Sequence, residues 1–217
     1  MYQQAIRGLN LQLVIPKNEW NLAHFHWDRD CNGYSKAICY IFRYCLCVFY
    51  RYIDDANYKI PELLKSKRIL IISPFKSTIE QQLHERKLFP KAIFPEDCSI
   101  RVIVPPQQFC GNSDGLSWQC HFELLKQEIL VEYEDYPFDL CISSCGGFGL
   151  PICDYIHKNT GASVIYMGGI LQIMFGIMGK RFETREDITP YINYTWTRPL
   201  PEDTIKNSHK VENGCYW

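Results

Sequence analysis

From residue 67 onward, short apolar runs alternate with longer stretches of mixed polarity. Arg68-Ile-Leu-Ile-Ile72 is followed by Ser73-Pro74 and a polar helical stretch over 76–87. Ser99-Ile-Arg-Val-Ile-Val104 is closed by Pro105-Pro106. The stretch 116–133 then places Trp118, Phe122, Leu124, Leu125, Ile129 and Leu130 at roughly helical spacing. Phe138-Asp-Leu-Cys-Ile-Ser143 precedes a glycine turn and a helix over 150–158. Ser163-Val-Ile-Tyr-Met167 precedes Gly168-Gly169 and a helix over 170–178. β-Branched runs alternating with helices predict βαβ units. Runs that are apolar throughout, rather than alternating, predict a sheet covered on both faces. The fold class is α/β, a Rossmann-like parallel sheet with flanking helices.

The pattern before residue 67 is irregular. Leu11 to Ile15 reads as a short strand stopped by Pro16, and 35–52 as an aromatic-rich helix. Pro61 opens a short helix at its first turn. The chain therefore divides into an N-terminal helical or irregular segment, 1–66, and a Rossmann-like domain, 67–217, whose tail wraps it from Phe182. The apolar run over 37–50 contains Arg43 and falls short of the ~20 residues that span a bilayer, so no transmembrane segment is expected. Residues 1–10 are polar and lack the apolar core of a secretory signal.

Composition narrows the function classes. With 47% hydrophobic and 22% charged residues, the 217-residue chain is neither a disordered tail nor a coiled coil. A net charge of −1 excludes the broad basic surface that duplex DNA requires, so no nucleic acid is expected as a partner. A phosphate pocket needs only one or two cations and some backbone N–H groups, and remains open. The cysteine count, 11, is odd, and no pair has CxxC spacing. That pattern fits reduced thiols used as small core residues, and hence a reducing, cytoplasmic location.

In an open parallel sheet, ligands bind outside the carboxyl ends of the strands. The residues after each apolar run are therefore the candidates: Ser73-Pro74-Phe75, then Pro105-Pro106-Gln107-Gln108, then Ser144 to Gly149 with the glycines Gly146, Gly147 and Gly149, then Gly168 and Gly169. Glycine lets backbone approach a ligand closely, and helix starts offer N–H groups to an anion. The GGxG spacing is not the GxGxxG of nicotinamide-binding proteins. After Gly169, Gln172 is the one polar side chain of an apolar helix carrying Gly176, a glycine expected to pack against another backbone. Gly179 is expected to cap that helix. Lys180 and Arg181 follow, either as favourable charge at a helix end or as a clamp on a diphosphate. Asp28 and Asp30 form a DxD, the arrangement that holds a divalent metal against a diphosphate in sugar-nucleotide transferases. A chance surface pair is the competing explanation. Cys145, beside the glycine turn, has no candidate base in the sequence to make it a nucleophile.

Five segments carry a resemblance: ILIISPFKSTIEQQ (69–82), LFP (88–90), FDLCISSCGGFGLPICDYI (138–156), VIYMGGILQIMFGIMGKRF (164–182) and VENGCYW (211–217). Together they resemble an uncharacterised family found in bacterial polysaccharide loci and large DNA viruses. That family is in turn similar to the D-fold glycosyltransferases. The resemblance implies a glycosyltransferase-like protein of polysaccharide biosynthesis. Its substrate would be a nucleotide sugar, its partner a glycan acceptor, and its metal Mn²⁺ or Mg²⁺; an oligomer is compatible with it. D-fold enzymes carry an acidic Asp-Gly-Glu motif near the N-terminus, which this chain lacks. Either Asp28 and Asp30 replace it as catalytic residues, or the chain is a non-catalytic nucleotide-binding or assembly module.

Overall fold

The computed structural model describes residues 60–85, 94–186 and 188–217. Helix α1 (Ile60–Leu64) leads into strand β1 (Arg68–Ile72) and helix α2 (Lys76–His84). Strand β2 (Ser99–Ile103), helix α3 (Trp118–Asp135) and strand β3 (Leu140–Ser143) come next. Helix α4 (Gly149–Thr160), strand β4 (Ser163–Tyr166) and helix α5 (Ile170–Met174) complete the regular elements. The strands form one parallel sheet in the order β2-β1-β3-β4, so the domain is α/β with a Rossmann-like sheet. The strand expected over 11–15, the aromatic helix over 35–52 and the LFP segment at 88–90 lie outside the described residues.

Burial explains why β1 is apolar from Ile69 to Ile72, whereas the edge strands β2 and β4 alternate with exposed positions and are not covered on both faces. Ile69, Leu70, Ile71 and Ile72 are all fully buried. Successive strand side chains point to opposite faces, so each face receives half of them. Ile69 and Ile71 join one core with Ile79 of α2 and Leu171 and Ile173 of α5. Leu70 and Ile72 join the other with Phe122, Leu125 and Ile129 of α3 and Ile152 and Ile156 of α4. Each such side chain contributes about 1.5–3 kcal/mol relative to exposure.

The strand order fixes where the chain reverses. From β1 it steps to one edge, β2, then crosses back past β1 to β3 and on to β4. Right-handed crossovers require the connecting helix to change face when the direction across the sheet changes. Accordingly α2 packs on one face, and α3 and α4 pack on the other. The switch point lies between β1 and β3.

Helix ends follow local chemistry. Ser117 opens α3 by accepting the Cys120 N–H at 3.1 Å. Gly161, at φ +71°, closes α4 in the left-handed conformation. The helix expected over 170–178 stops at Met174. Gly176 turns the chain at φ +61°, and Ile177 then bridges Thr197 of the tail in parallel. Gly176 thus ends the helix instead of lying inside it, with its carbonyl accepting the Thr197 N–H at 2.9 Å, and Gly179, at φ −95°, opens the 3₁₀ turn Lys180–Phe182 instead of closing α5. Among the described residues the cysteines are free thiols, and no helix is long and apolar enough to cross a membrane.

Candidate functional site

The four turns at the carboxyl ends of the strands open onto one cleft of about 690 Å³. Pro74 and Phe75 follow β1, residues 106–109 follow β2, residues 144–148 follow β3, and Gly168 and Gly169 follow β4. The cleft therefore sits at the switch point, where open α/β sheets bind ligands. Its walls include the aromatic side chains of Phe109, Trp118, Phe148, Tyr166, Tyr216 and Trp217. Trp118 is stacked between Phe122 and Phe148, with both centroid distances 5.1 Å, which fixes the wall on the β2 side. Tyr216 and Trp217 come from the end of the tail, so the tail is a wall of the site.

The glycines of the β3 turn have separate roles. Gly146 and Gly147 line the cleft, and Gly146 adopts φ +50° with open space where a side chain would be. Gly149 does not line it. A Cβ there would overlap the Tyr166 ring, so this glycine lets Tyr166 lie against the start of α4. Cys145 lines the cleft, and its thiol lies 3.0 Å from the Ser143 hydroxyl. Burial pushes the Cys145 thiol up to about 12, only partly offset by Ser143, so it stays protonated at neutral pH. It cannot serve as a nucleophile without a base. Ser73 does not reach the cleft either. It is buried, and its hydroxyl accepts the Phe75 N–H at 3.3 Å, shaping the β1 turn from within.

Arg181 is the one Lys or Arg side chain lining the cleft among the described residues. Its Nη2 donates to the Gly169 carbonyl at 3.0 Å and to Gln172 Oε1 at 2.7 Å. The guanidinium also lies over the Tyr216 and Phe182 rings, 4.4 and 4.5 Å from their centroids. It makes no ion pair with a carboxylate among the described residues, and its buried Nε has no hydrogen-bond partner. Burial lowers its pKa, with Tyr216, Cys215 and Glu212 pulling it back up, and an arginine remains a cation at neutral pH regardless. Gly169 permits this arrangement, since a Cβ there would occupy the guanidinium's place. Gln172 is buried and ties Arg181 to the tail, donating from Nε2 to the Tyr216 carbonyl at 2.7 Å.

Lys180 departs from the expected clamp. It is exposed, does not line the cleft, and reaches the Asn213 carbonyl at 3.4 Å. Because α5 ends six residues earlier, at Met174, neither Lys180 nor Arg181 sits at a helix carboxyl terminus in the way the sequence suggested. The structure thus brings Gly146, Gly147, Gly168, Gly169, Gln172 and Arg181 together, and leaves Ser73, Gly149 and Lys180 outside the lining. Asp28 and Asp30 lie outside the described residues. Among the described residues no group of three His, Cys, Asp or Glu side chains is placed to hold a metal.

Of the remaining features, Gln107 is one of the residues that follow the second apolar run, whereas Asp114 and Asp203 had no sequence signal that singled them out. Gln107 lines the cleft with a buried Oε1 that has no partner, its Nε2 being held by the Pro105 carbonyl at 3.0 Å. Asp114 accepts from Leu116 N–H at 3.0 Å, from Nε2 of the cleft-lining Gln108 at 2.6 Å and from His121 Nε2 at 3.0 Å. Asp203 is buried and accepts the Ser77 and Thr78 amides at 3.1 and 2.6 Å. Scanned against protein-family models, curated proteins and solved structures, the chain matches none.

Proposed function

We propose that the cleft binds the nucleotide diphosphate of a nucleotide sugar, and that the protein is a glycosyltransferase-like component of glycan or polysaccharide biosynthesis. One observation carries the reading. Arg181 is a half-buried cation with no carboxylate partner and an unsatisfied Nε, facing a cleft at the switch point of a parallel sheet. Glu212 acts on this charge only without contact, and a desolvated charge that no carboxylate touches is relieved by an anionic ligand in direct contact. The aromatic walls suit a base or a sugar ring, and Gln107 Oε1 offers an acceptor to a ligand N–H or hydroxyl. The step from nucleotide binding to sugar transfer rests on the family resemblance. A metal, Mn²⁺ or Mg²⁺, and catalysis by Asp28 or Asp30 belong to that step.

A second reading is a nucleotide-binding module without turnover. It is favoured by the lining itself, which holds no Asp or Glu among the described residues. Thermal-shift titration with UDP-, GDP- and dTDP-sugars, with and without Mn²⁺, tests both. A stabilising shift with one of them is expected. Arg181→Ala should remove a charge-assisted hydrogen bond of about 1.5–3 kcal/mol, weakening binding roughly 10- to 150-fold with the fold intact. Normal binding by that variant would place the anion elsewhere. Metal-dependent release of free sugar or transfer to a glycan acceptor selects the transferase, and metal-independent binding alone selects the module.

A further inference from the structure

We infer that the C-terminal tail is a strap that assembles the anion seat, with Asp203 as its anchor on the far side of the first strand-to-helix turn. The inference rests on the nucleotide reading of the cleft and adds a positioning residue that does not touch the ligand.

The start of α2 is where the first turn of a Rossmann-like sheet would offer backbone N–H groups to a phosphate. Here the second and third of those donors are already used. The Ser77 N–H donates to Asp203 Oδ1, and the Thr78 N–H and hydroxyl donate to Oδ2 at 2.6 and 2.5 Å. Thr78 Oγ1 also accepts the Leu200 N–H at 2.9 Å. A carboxylate at a helix N-terminus satisfies otherwise orphaned donors and is favoured by the helix dipole. Asp203 is therefore a cap supplied from the tail, and it ties the tail to α2. The ligand's anion is left to the β4 turn.

From Asp203 a continuous set of contacts reaches Arg181. The Asp203 carbonyl accepts the Trp217 indole N–H at 3.0 Å. The Trp217, Cys215 and Tyr216 main-chain oxygens accept Lys180 N–H, Arg181 N–H and Gln172 Nε2 at 3.2, 3.1 and 2.7 Å. Gln172 Oε1 then accepts Arg181 Nη2, and the Tyr216 ring lies under the guanidinium. Gly179 makes this seating possible, because a Cβ there would lie 2.8 Å from the Cys215 carbonyl oxygen and 3.0 Å from that of Tyr216. The tail thus sets the backbone, the side-chain partner and the ring face of Arg181. Linkage then requires that an anion on Arg181 hold the tail more tightly, by the same factor that the docked tail favours the anion.

Trypsin reads the tail directly, since Lys206 and Lys210 are exposed within it. The full chain is digested alone and with inorganic pyrophosphate or the UDP-, GDP- and dTDP-sugars. A bound probe should slow cleavage after Lys210 roughly 5- to 150-fold, the usual range for coupled sites. Asp203→Asn should speed cleavage and weaken probe binding by a factor in the same range. Thr78→Val, which removes one hydroxyl, should move both in the same direction by less, and it decides the matter if Asp203→Asn does not fold. Three results overturn the strap: a variant with a freed tail that binds as tightly as wild type, a variant whose tail is no freer, or a bound probe that leaves cleavage unchanged. If wild type binds none of the probes, the nucleotide reading falls first and the strap falls with it.

Discussion

Gly169 and Gly161 separate two uses of glycine that the sequence presents alike. A Cβ at Gly169 would overlap the end of the Arg181 side chain, while Gly161 has open space around it and a left-handed φ of +71°. The guanidinium is the mobile end of a long side chain, so Gly169→Ala costs little stability by displacing it. The same displacement takes the cation from its bonds to the Gly169 carbonyl and Gln172. Gly161→Ala forces a left-handed alanine at a helix end, at about 1–2 kcal/mol, far from the cleft lining. The expected outcome is a crossed pair. Gly169→Ala loses nucleotide binding and keeps its urea midpoint, and Gly161→Ala does the reverse. Equal loss of binding in both would show that Arg181 is not set by the β4 turn.

At the scale of elements, one carboxylate gathers the second half of the connection between β2 and α3. Asp114 gathers Leu116, Gln108 and His121 and so folds residues 108–121 beside the Trp118 wall. Its carboxyl is held below the usual value, first by the Leu116 N–H and then by His121, with desolvation opposing. A depressed carboxylate pKa means that the folded form favours the ionised group. That stabilisation is present above the ordinary carboxylate value of about 3.9 and is lost as pH falls through the lower folded value. The ¹⁹F resonance of 5-fluorotryptophan at Trp118 should therefore hold its position down to the carboxylate range and then shift as the connection loosens. In Asp114→Asn it should lack that acid step; an identical acid step there would assign the change to another group.

The elements themselves were largely legible, and the exceptions have physical causes. β1 was readable residue for residue, because Arg68 and then four buried aliphatics leave little choice of boundaries. The helix after β4 was read too long. Ile177 and Met178 continue its apolar pattern, but their burial comes from tail residues near Thr197, a contact that helical spacing cannot reveal. Among the proposed site residues, most of those fixed by backbone position at strand ends converge, as for Gly146, Gly147, Gly168 and Gly169, while Ser73 and Gly149 stay outside the lining. Those that depended on side-chain direction divide, with Arg181 turned in and Lys180 turned out. Asp203 was not legible because its partners are 125 and 126 positions away, and nothing local marks an acidic residue as a cap for a distant helix.

Across the whole molecule, the tail is bonded to the domain at three separate places. It touches α2 through Asp203 and Leu200, the β2–α3 connection through Lys206 and Asn207, and the β4 side through residues 215–217. Asn112 donates to the Lys206 carbonyl at 2.8 Å, and Asn207 returns a bond to the Cys110 carbonyl at 3.3 Å. A segment bound on three sides of the same sheet has no independent core to melt around, so its loss and the loss of the sheet should be one event. Trp217 reports the strap and Trp118 the α3 wall, and ¹⁹F labels on both distinguish them. In wild type their urea transitions should coincide with each other and with the loss of helical circular dichroism. In Asp203→Asn, where the anchor on α2 is weakened, Trp217 should lose its native resonance at lower urea than Trp118. An early Trp217 transition in wild type would instead make the tail a separate unit, docked on a sheet that folds without it.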